Sequence, residues 1–253
     1  MKTIIKDKLR VEIYESRGEM GIHAGKMAAE KIRQCLSEKN EVNVIFAAAP
    51  SQNEMLETLK GQENIDWGRV NAFHMDEYIG LAADAPQGFG NFLRDRIFDE
   101  LPFKSVNYIN CEAEDIDAEC KRYSTLLDEN PVDIVLLGIG ENGHIAFNDP
   151  HVADFNDSQT VKAVKLDDVC RQQQVNDGCF KTIDDVPQYA LTLTIPTLFN
   201  AKHLVCTVPA KTKAWAVEKT VNGEINEKCP ATVMRNHNSA VMFCDSDSGR
   251  DLL

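Results

Sequence analysis

Asn142, His144 and Asp149 stand close together in Gly138-Ile139-Gly140-Glu141-Asn142-Gly143-His144-Ile145-Ala146-Phe147-Asn148-Asp149-Pro150, and residues of these types can move protons. A histidine with a carboxylate nearby exchanges protons near neutral pH, because the carboxylate orients the ring and raises its basicity. Gly138, Gly140 and Gly143 let a ligand come close to the main chain. Asp76 and Glu77 are adjacent carboxylates and candidates for a general base. Ser51 and Gln52 precede a helical pattern, and Lys213 opens another; both are places where an anion can be held. Each group also has a plain reading: a glycine-rich turn with a structural histidine, a surface turn, an ordinary helix cap, a solvated lysine. Residue types alone leave these alternatives open. The Gly spacing is not a dinucleotide fingerprint, since Asn148, Asp149 and Pro150 would break the helix that must follow it.

The elements around these residues are strongly patterned. Val132 to Leu137 is apolar and branched apart from Asp133, as a strand buried on both faces of a parallel sheet should be. Further strands are expected at Leu9–Tyr14, Val42–Ala47, Val70–Met75, Val106–Asn110, Tyr189–Ile195, His203–Val208 and Ala240–Cys244. Helical spacing appears at about Glu19 to Leu36, from Met55 to Leu59, from Phe89 to Ile97, from Asp115 to Leu127 and after Lys213. Alternating strands and helices imply an α/β fold, a mostly parallel sheet with helices on both faces. In such a sheet the loops bearing Ser51, Asp76, His144 and Lys213 share the rim at the strands' C-terminal ends. The polar excursion from His151 to Asp185 carries no legible elements; it is either a lid or a surface ornament.

The totals narrow the partners. No linker or repeat divides the 253 residues, so one domain spanning 1–253 is expected. A net charge of −13 argues against nucleic acid or an anionic membrane. The eight cysteines form no C-x-x-C pair and several lie in apolar runs, so reduced buried thiols are expected, with no zinc. No signal peptide or membrane span is evident, which makes the cytoplasm the default compartment.

Phe73-His74-Met75-Asp76-Glu77-Tyr78-Ile79-Gly80 and the Gly138–Pro150 stretch closely resemble the two signatures of glucosamine-6-phosphate deaminases. Val186-Pro187-Gln188-Tyr189-Ala190-Leu191-Thr192 and the Lys213 helix follow in the family's order, so the resemblance spans nearly the whole chain. It implies a Rossmann-like fold and isomerisation of an amino-sugar phosphate with loss of ammonia, without metal or cofactor. It further implies that Asp76 shuttles a proton from C2 to C1, and that His144 opens the sugar ring with Asn142 and Asp149 beside it. Ser51, Gln52, Glu77, Gly140, Arg171 and Lys213 would then contact the substrate, its phosphate lying against the Ser51 loop and Lys213.

Several positions depart from that pattern. Asp149 stands where the family usually has Glu, and Asn142 where many members have Asp. The phosphate loop, normally rich in Thr and Gly, reads Ala-Ala-Pro-Ser-Gln. The arginine expected shortly before Phe180 is replaced by Asn176-Asp177-Gly178-Cys179, and Arg171 is near but not aligned. A different amino-sugar 6-phosphate is therefore an open alternative. The basic residues of the allosteric site found in some members are not matched, so no such regulation is expected. Whether the chain is a monomer or a homo-oligomer is open. Two other activities compete: a 6-phosphogluconolactonase-type hydrolase and a non-catalytic sugar-phosphate sensor. Ile145, where lactonases usually have Thr, and Asp76-Glu77 weigh against the first. The joint presence of Asp76 and His144 weighs against the second.

Overall fold

Strands sandwiched between two helical layers are buried along their whole length, and three of them make the centre of this molecule. β3 (Val42–Phe46), β4 (Val70–His74) and β7 (Ile134–Leu137) have no exposed residue. A computed structural model describes all 253 residues. In it the three strands join β1 (Lys2–Lys6), β2 (Leu9–Ile13), β6 (Ser105–Asn107), β10 (His203–Val208) and β11 (Ala240–Cys244) in one eight-stranded sheet, ordered β1-β2-β11-β10-β7-β3-β4-β6. Every pairing in it is parallel except β1 with β2. β1 escapes the sequence pattern because, at the sheet's edge, it leaves Lys2, Thr3 and Ile5 in solvent and needs no apolar alternation.

Side chains leave the central strands alternately to the two faces. Val44, Phe46, Ile134 and Leu136 enter one apolar cluster of 34 buried residues; Ile45, Val135 and Leu137 enter another of 32. Clusters of nearly the same size mean that both faces are covered, as the sequence pattern implies. The longest covering helix, α1 (Arg17–Glu38), buries Met20, Ala24, Ala28, Ile32 and Cys35 at helical spacing. Ser16 caps it, accepting from Glu19 N at 3.2 Å. The other helices are α2 (Asn53–Lys60), α3 (Phe89–Leu93), α4 (Ile116–Glu129), α5 (Asp168–Asn176), α6 (Ile195–Phe199) and α7 (Ala214–Asn222). None is long and apolar enough to cross a membrane.

The excursion after Pro150 is structured, unlike its reading as a stretch without elements. β8 (Val161–Lys165) pairs antiparallel with β9 (Tyr189–Leu193), and β9 pairs with β5 (Asp76–Tyr78) in a separate three-stranded sheet. β9 thus leaves the main sheet where alternation had placed it. α5 follows β8, and its buried residues are Cys170, Gln173 and Gln174. Two of those three are polar, so the helix buries its inner face without an apolar stripe to reveal it.

From β3 the chain steps outward through β4 and β6, then crosses back to β7 on the other side of β3 before continuing to β10 and β11. That reversal opens a crevice above the C-terminal ends of β3 and β7, where doubly wound sheets hold ligands.

Candidate active site

The turn after β7 is folded around His144. Gly140 N donates to His144 O at 2.9 Å, and Gly143 N to Gly140 O at 3.0 Å. This brings the imidazole over residue 140, where a Cβ would sit 2.1 Å from His144 Cε1. Only glycine fits there. Asn142 Oδ1 accepts from His144 N at 3.0 Å and lies 2.8 Å from Nδ1; Asp149 Oδ1 lies 2.9 Å from the same nitrogen. Asn142 Nδ2 donates to Asp149 Oδ1 at 2.9 Å, closing the triangle. Two oxygen acceptors around Nδ1 assign the ring proton to it, leaving Nε2 with a lone pair. Burial alone would push the Asp149 carboxyl up. The His144 charge and hydrogen bonds from His144 and Asn142 outweigh it and hold Asp149 below the usual carboxylate range. Asn142 and Asp149 therefore sit behind the histidine, and neither lines the open cleft.

Cys170 of α5 completes a buried cluster with these groups: a His144 ring nitrogen, an Asp149 oxygen and Cys170 Sγ lie within 4.8 Å of one another. Burial pushes the Cys170 thiol far up. A protonated thiol is a poor metal ligand, and His144 Nδ1 is already committed to two oxygens, so the donor chemistry suits proton handling better than metal binding.

Asp76 follows β4 and begins β5. Its carboxylate lines the same cleft as His144, makes no hydrogen bond within the protein, and is only 7% exposed. Burial, with the Glu77 charge added to it, raises its pKa well above the ordinary value. Strand geometry turns Glu77 the other way. Its carboxylate accepts from Tyr78 N, Phe89 N and Gly90 N at 3.0, 3.0 and 2.8 Å, receiving the start of α3. The expected contact of Glu77 with substrate is corrected accordingly: it does not line the cleft.

His74, the last residue of β4, orients this corner. It is fully buried, accepts from Ile109 N through Nε2 at 2.9 Å, and donates from Nδ1 to Asp76 O at 3.0 Å. The N–H of Ile109 occupies the Nε2 lone pair, so the ring stays neutral; burial lowers its pKa to about 4.

At the other end of the cleft stands the turn Pro50–Gln52, between β3 and α2. Ser51 faces the cleft. Gln52, wholly buried, donates from Nε2 to Ser51 Oγ at 3.0 Å and to Thr207 O at 3.3 Å, which sets the serine hydroxyl. Lys213, at the start of α7, is 6% exposed and pairs with no protein group. Burial lowers its pKa, against the opposing charges of Asp177 and Glu141.

Arg171 is corrected too. Its guanidinium donates to Ile183 O at 2.6 Å and Val186 O at 3.1 Å and pairs with Asp168 at 3.2 Å, so it fastens α5 to the following turn, away from the cleft. Four charged or amide-bearing lining residues had no sequence signal: Arg17 from α1, and Gln173, Gln174 and Asp177 at the end of α5. The α5 residues lie in the polar excursion, and Arg17 reads as an ordinary first-turn residue. The enclosed part of the cleft holds about 110 Å³ and opens to solvent at its mouth.

Known proteins resemble this chain in sequence and in fold. The profile of a family described as glucosamine-6-phosphate isomerases/6-phosphogluconolactonase matches residues 15–243. A glucosamine-6-phosphate deaminase of Listeria innocua serovar 6a is 35% identical over 230 residues, covering 91% of this chain and 96% of that protein. The solved structure of a monomeric glucosamine-6-phosphate deaminase superposes with a TM-score of 0.85 at 30% identity, covering 95% of this chain and 98% of that one. A 6-phosphogluconolactonase from Thermotoga maritima shares the fold, with a TM-score of 0.76 at 20% identity over 94% of this chain and all of that one.

Proposed function

The chain belongs to the family of glucosamine-6-phosphate isomerases and 6-phosphogluconolactonases, and we propose that it is an amino-sugar phosphate deaminase. In this reading residues 1–253 act as one domain that converts glucosamine 6-phosphate, or a closely related amino-hexose 6-phosphate, to the ketose phosphate and ammonia. The observation that carries the reading is the pairing, in one cleft, of an unpartnered buried carboxylate, Asp76, with an imidazole, His144, whose Nδ1 is tied from behind.

The chemistry needs two proton movements. Opening the pyranose ring moves a proton from the anomeric hydroxyl to the ring oxygen as the C1–O5 bond breaks. The Nε2 lone pair of His144 takes the first proton and the resulting imidazolium delivers it to O5; Asp149 steadies the transient positive charge. Isomerisation then needs a base at C2. Asp76 removes that proton as O1 takes up the proton given up by the substrate's ammonium, leaving a C1–C2 enolamine, and Asp76 returns its proton to C1. The resulting C2 iminium takes up water and releases ammonia. The raised pKa of Asp76 makes its ionised form a stronger base than a solvated aspartate. No step calls on a metal or an organic cofactor, because the C1 aldehyde accepts the electron pair from C2 and the nitrogen lone pair returns it to C1. The Ser51 turn and Lys213 would hold the phosphate, and Gly140 lines the cleft beneath the His144 ring, for which its missing side chain makes room.

Supplied with a panel of amino-sugar 6-phosphates and their unaminated counterparts, the protein is expected to release ammonia from at least one aminated compound. Acid release from 6-phosphogluconolactone without any ammonia would instead assign it to the lactonase branch of the family.

A further inference from the structure

The phosphate end of the cleft is short of positive charge if Lys213 acts alone. Where the resemblance led us to expect an arginine before Phe180, Asp177 reaches the cleft wall, and its charge acts on Lys213. A phosphate monoester carries about −1.5 to −2 at neutral pH, so one partly neutralised ammonium leaves most of it uncompensated. We propose that Arg17, in the first turn of α1, is the second cation of this subsite and sets the preference for a phosphorylated over an unphosphorylated sugar. The proposal rests on the sugar-phosphate reading above and names the residue that enforces it.

Arg17 lines the cleft together with Pro50, Ser51 and Lys213. Its guanidinium is fixed from two sides: Nε forms an ion pair with Glu54 Oε1 at 2.7 Å, which offsets part of its charge, and Nη2 donates to Pro50 O at 2.5 Å, while Nη1 makes no hydrogen bond in the protein and is left to bind an anion. A planar fork anchored through two nitrogens keeps its remaining donors pre-aimed, and little entropy is lost when an anion arrives. The helix packing places it there. One turn on, a Cβ at Gly21 would sit 2.3 Å from Glu54 Cβ; two turns on, a Cβ at Gly25 would sit 2.6 Å from Thr58 Cβ. Only this bare face lets α1 settle against α2 closely enough for Arg17 to reach the Pro50 carbonyl and the mouth of the Ser51 turn.

The test uses the intact protein with inorganic phosphate as probe, measured by titration calorimetry, beside KM for glucosamine 6-phosphate. Arg17→Ala is expected to weaken phosphate binding at least tenfold and to raise KM by a similar factor with a smaller change in kcat. Arg17→Lys should restore part of that loss, since it returns the charge without the fork. If Arg17 merely clamps α1 to α2, Arg17→Ala lowers the melting temperature while phosphate binding stays within twofold of the parent, and the proposal falls. Phosphate binding needs no turnover. Arg17-dependent binding in a protein that releases no ammonia would therefore uphold the subsite and remove the deaminase reading.

Discussion

At the scale of single residues, the site is built from groups whose first duty is to hold one another. Asn142 and Asp149 spend their oxygens on His144 Nδ1, so the other ring nitrogen is the one left to act. Asp76 has no such support. A carboxyl with a raised folded pKa is most stable protonated, so it favours folding at low pH and that contribution is lost as pH rises above the unfolded value. Ionising Asp76, as base catalysis requires, therefore costs stability. Asp76→Asn should lower kcat by roughly 10²-fold or more, the usual scale for loss of a general base, and should raise the melting temperature at neutral pH. In the parent enzyme, kcat/KM should climb with pH through a pKa well above that of a solvated aspartate. Normal turnover in Asp76→Asn would remove Asp76 from the mechanism.

Elements meet at His74, and their coupling is the next scale. This side chain joins β4 to the main chain of β5 and of Ile109, while its own N–H and C=O bond the Tyr123 hydroxyl of α4 at 3.1 and 3.0 Å. With a pKa lowered to about 4, the folded ring refuses a proton that the unfolded chain accepts below about 6.5. Its contribution to stability is complete above that value and is lost as pH falls toward 4, about 3 kcal/mol in all. Denaturant titrations should show this acid-side loss in the parent and a shallower slope between pH 6.5 and 4 in His74→Gln. The same slope in both proteins would mean that His74 titrates freely in the fold. α5 joins elements in a similar way. It brings Cys170 against the His144–Asp149 pair, and Gln173 and the following Asp177 to the cleft wall, so His144 and the cleft's rim depend on one short helix.

For the whole molecule, the reversal of strand order between β3 and β7 matters most, because it gathers loops from β3, β4, β7 and β10 around one crevice. A ligand bound in that crevice stabilises the entire fold by mass action. At a hundred times its dissociation constant it adds about 2.7 kcal/mol, which for a chain of this size corresponds to roughly 5–10 °C in Tm. A non-reactive hexitol 6-phosphate should produce that shift and the unphosphorylated hexitol should not. Equal shifts would mean that the cleft does not select for phosphate. The chain's net charge of −13 makes the local convergence of Arg17 and Lys213 necessary, since the long-range field repels an anion.

The buried strands of the main sheet other than β1, the coverage of both its faces, and the Asp76 and His144 loops were legible in the sequence. Each depends on periodicity or on residues adjacent in the chain. Several readings needed the fold. Glu77 lies one residue from Asp76 yet faces the start of α3, because neighbouring strand residues point to opposite sides. Arg171 was expected at the phosphate, yet it is consumed by the carbonyls of Ile183 and Val186. Arg17 reaches the cleft only because Gly21 and Gly25 let two helices touch, a fact about distance between segments that no local pattern encodes. Composition and spacing determine which groups are available for chemistry; the packing of α1, α5 and β9 decides which of them share a cavity, since that depends on contacts between residues far apart in the chain.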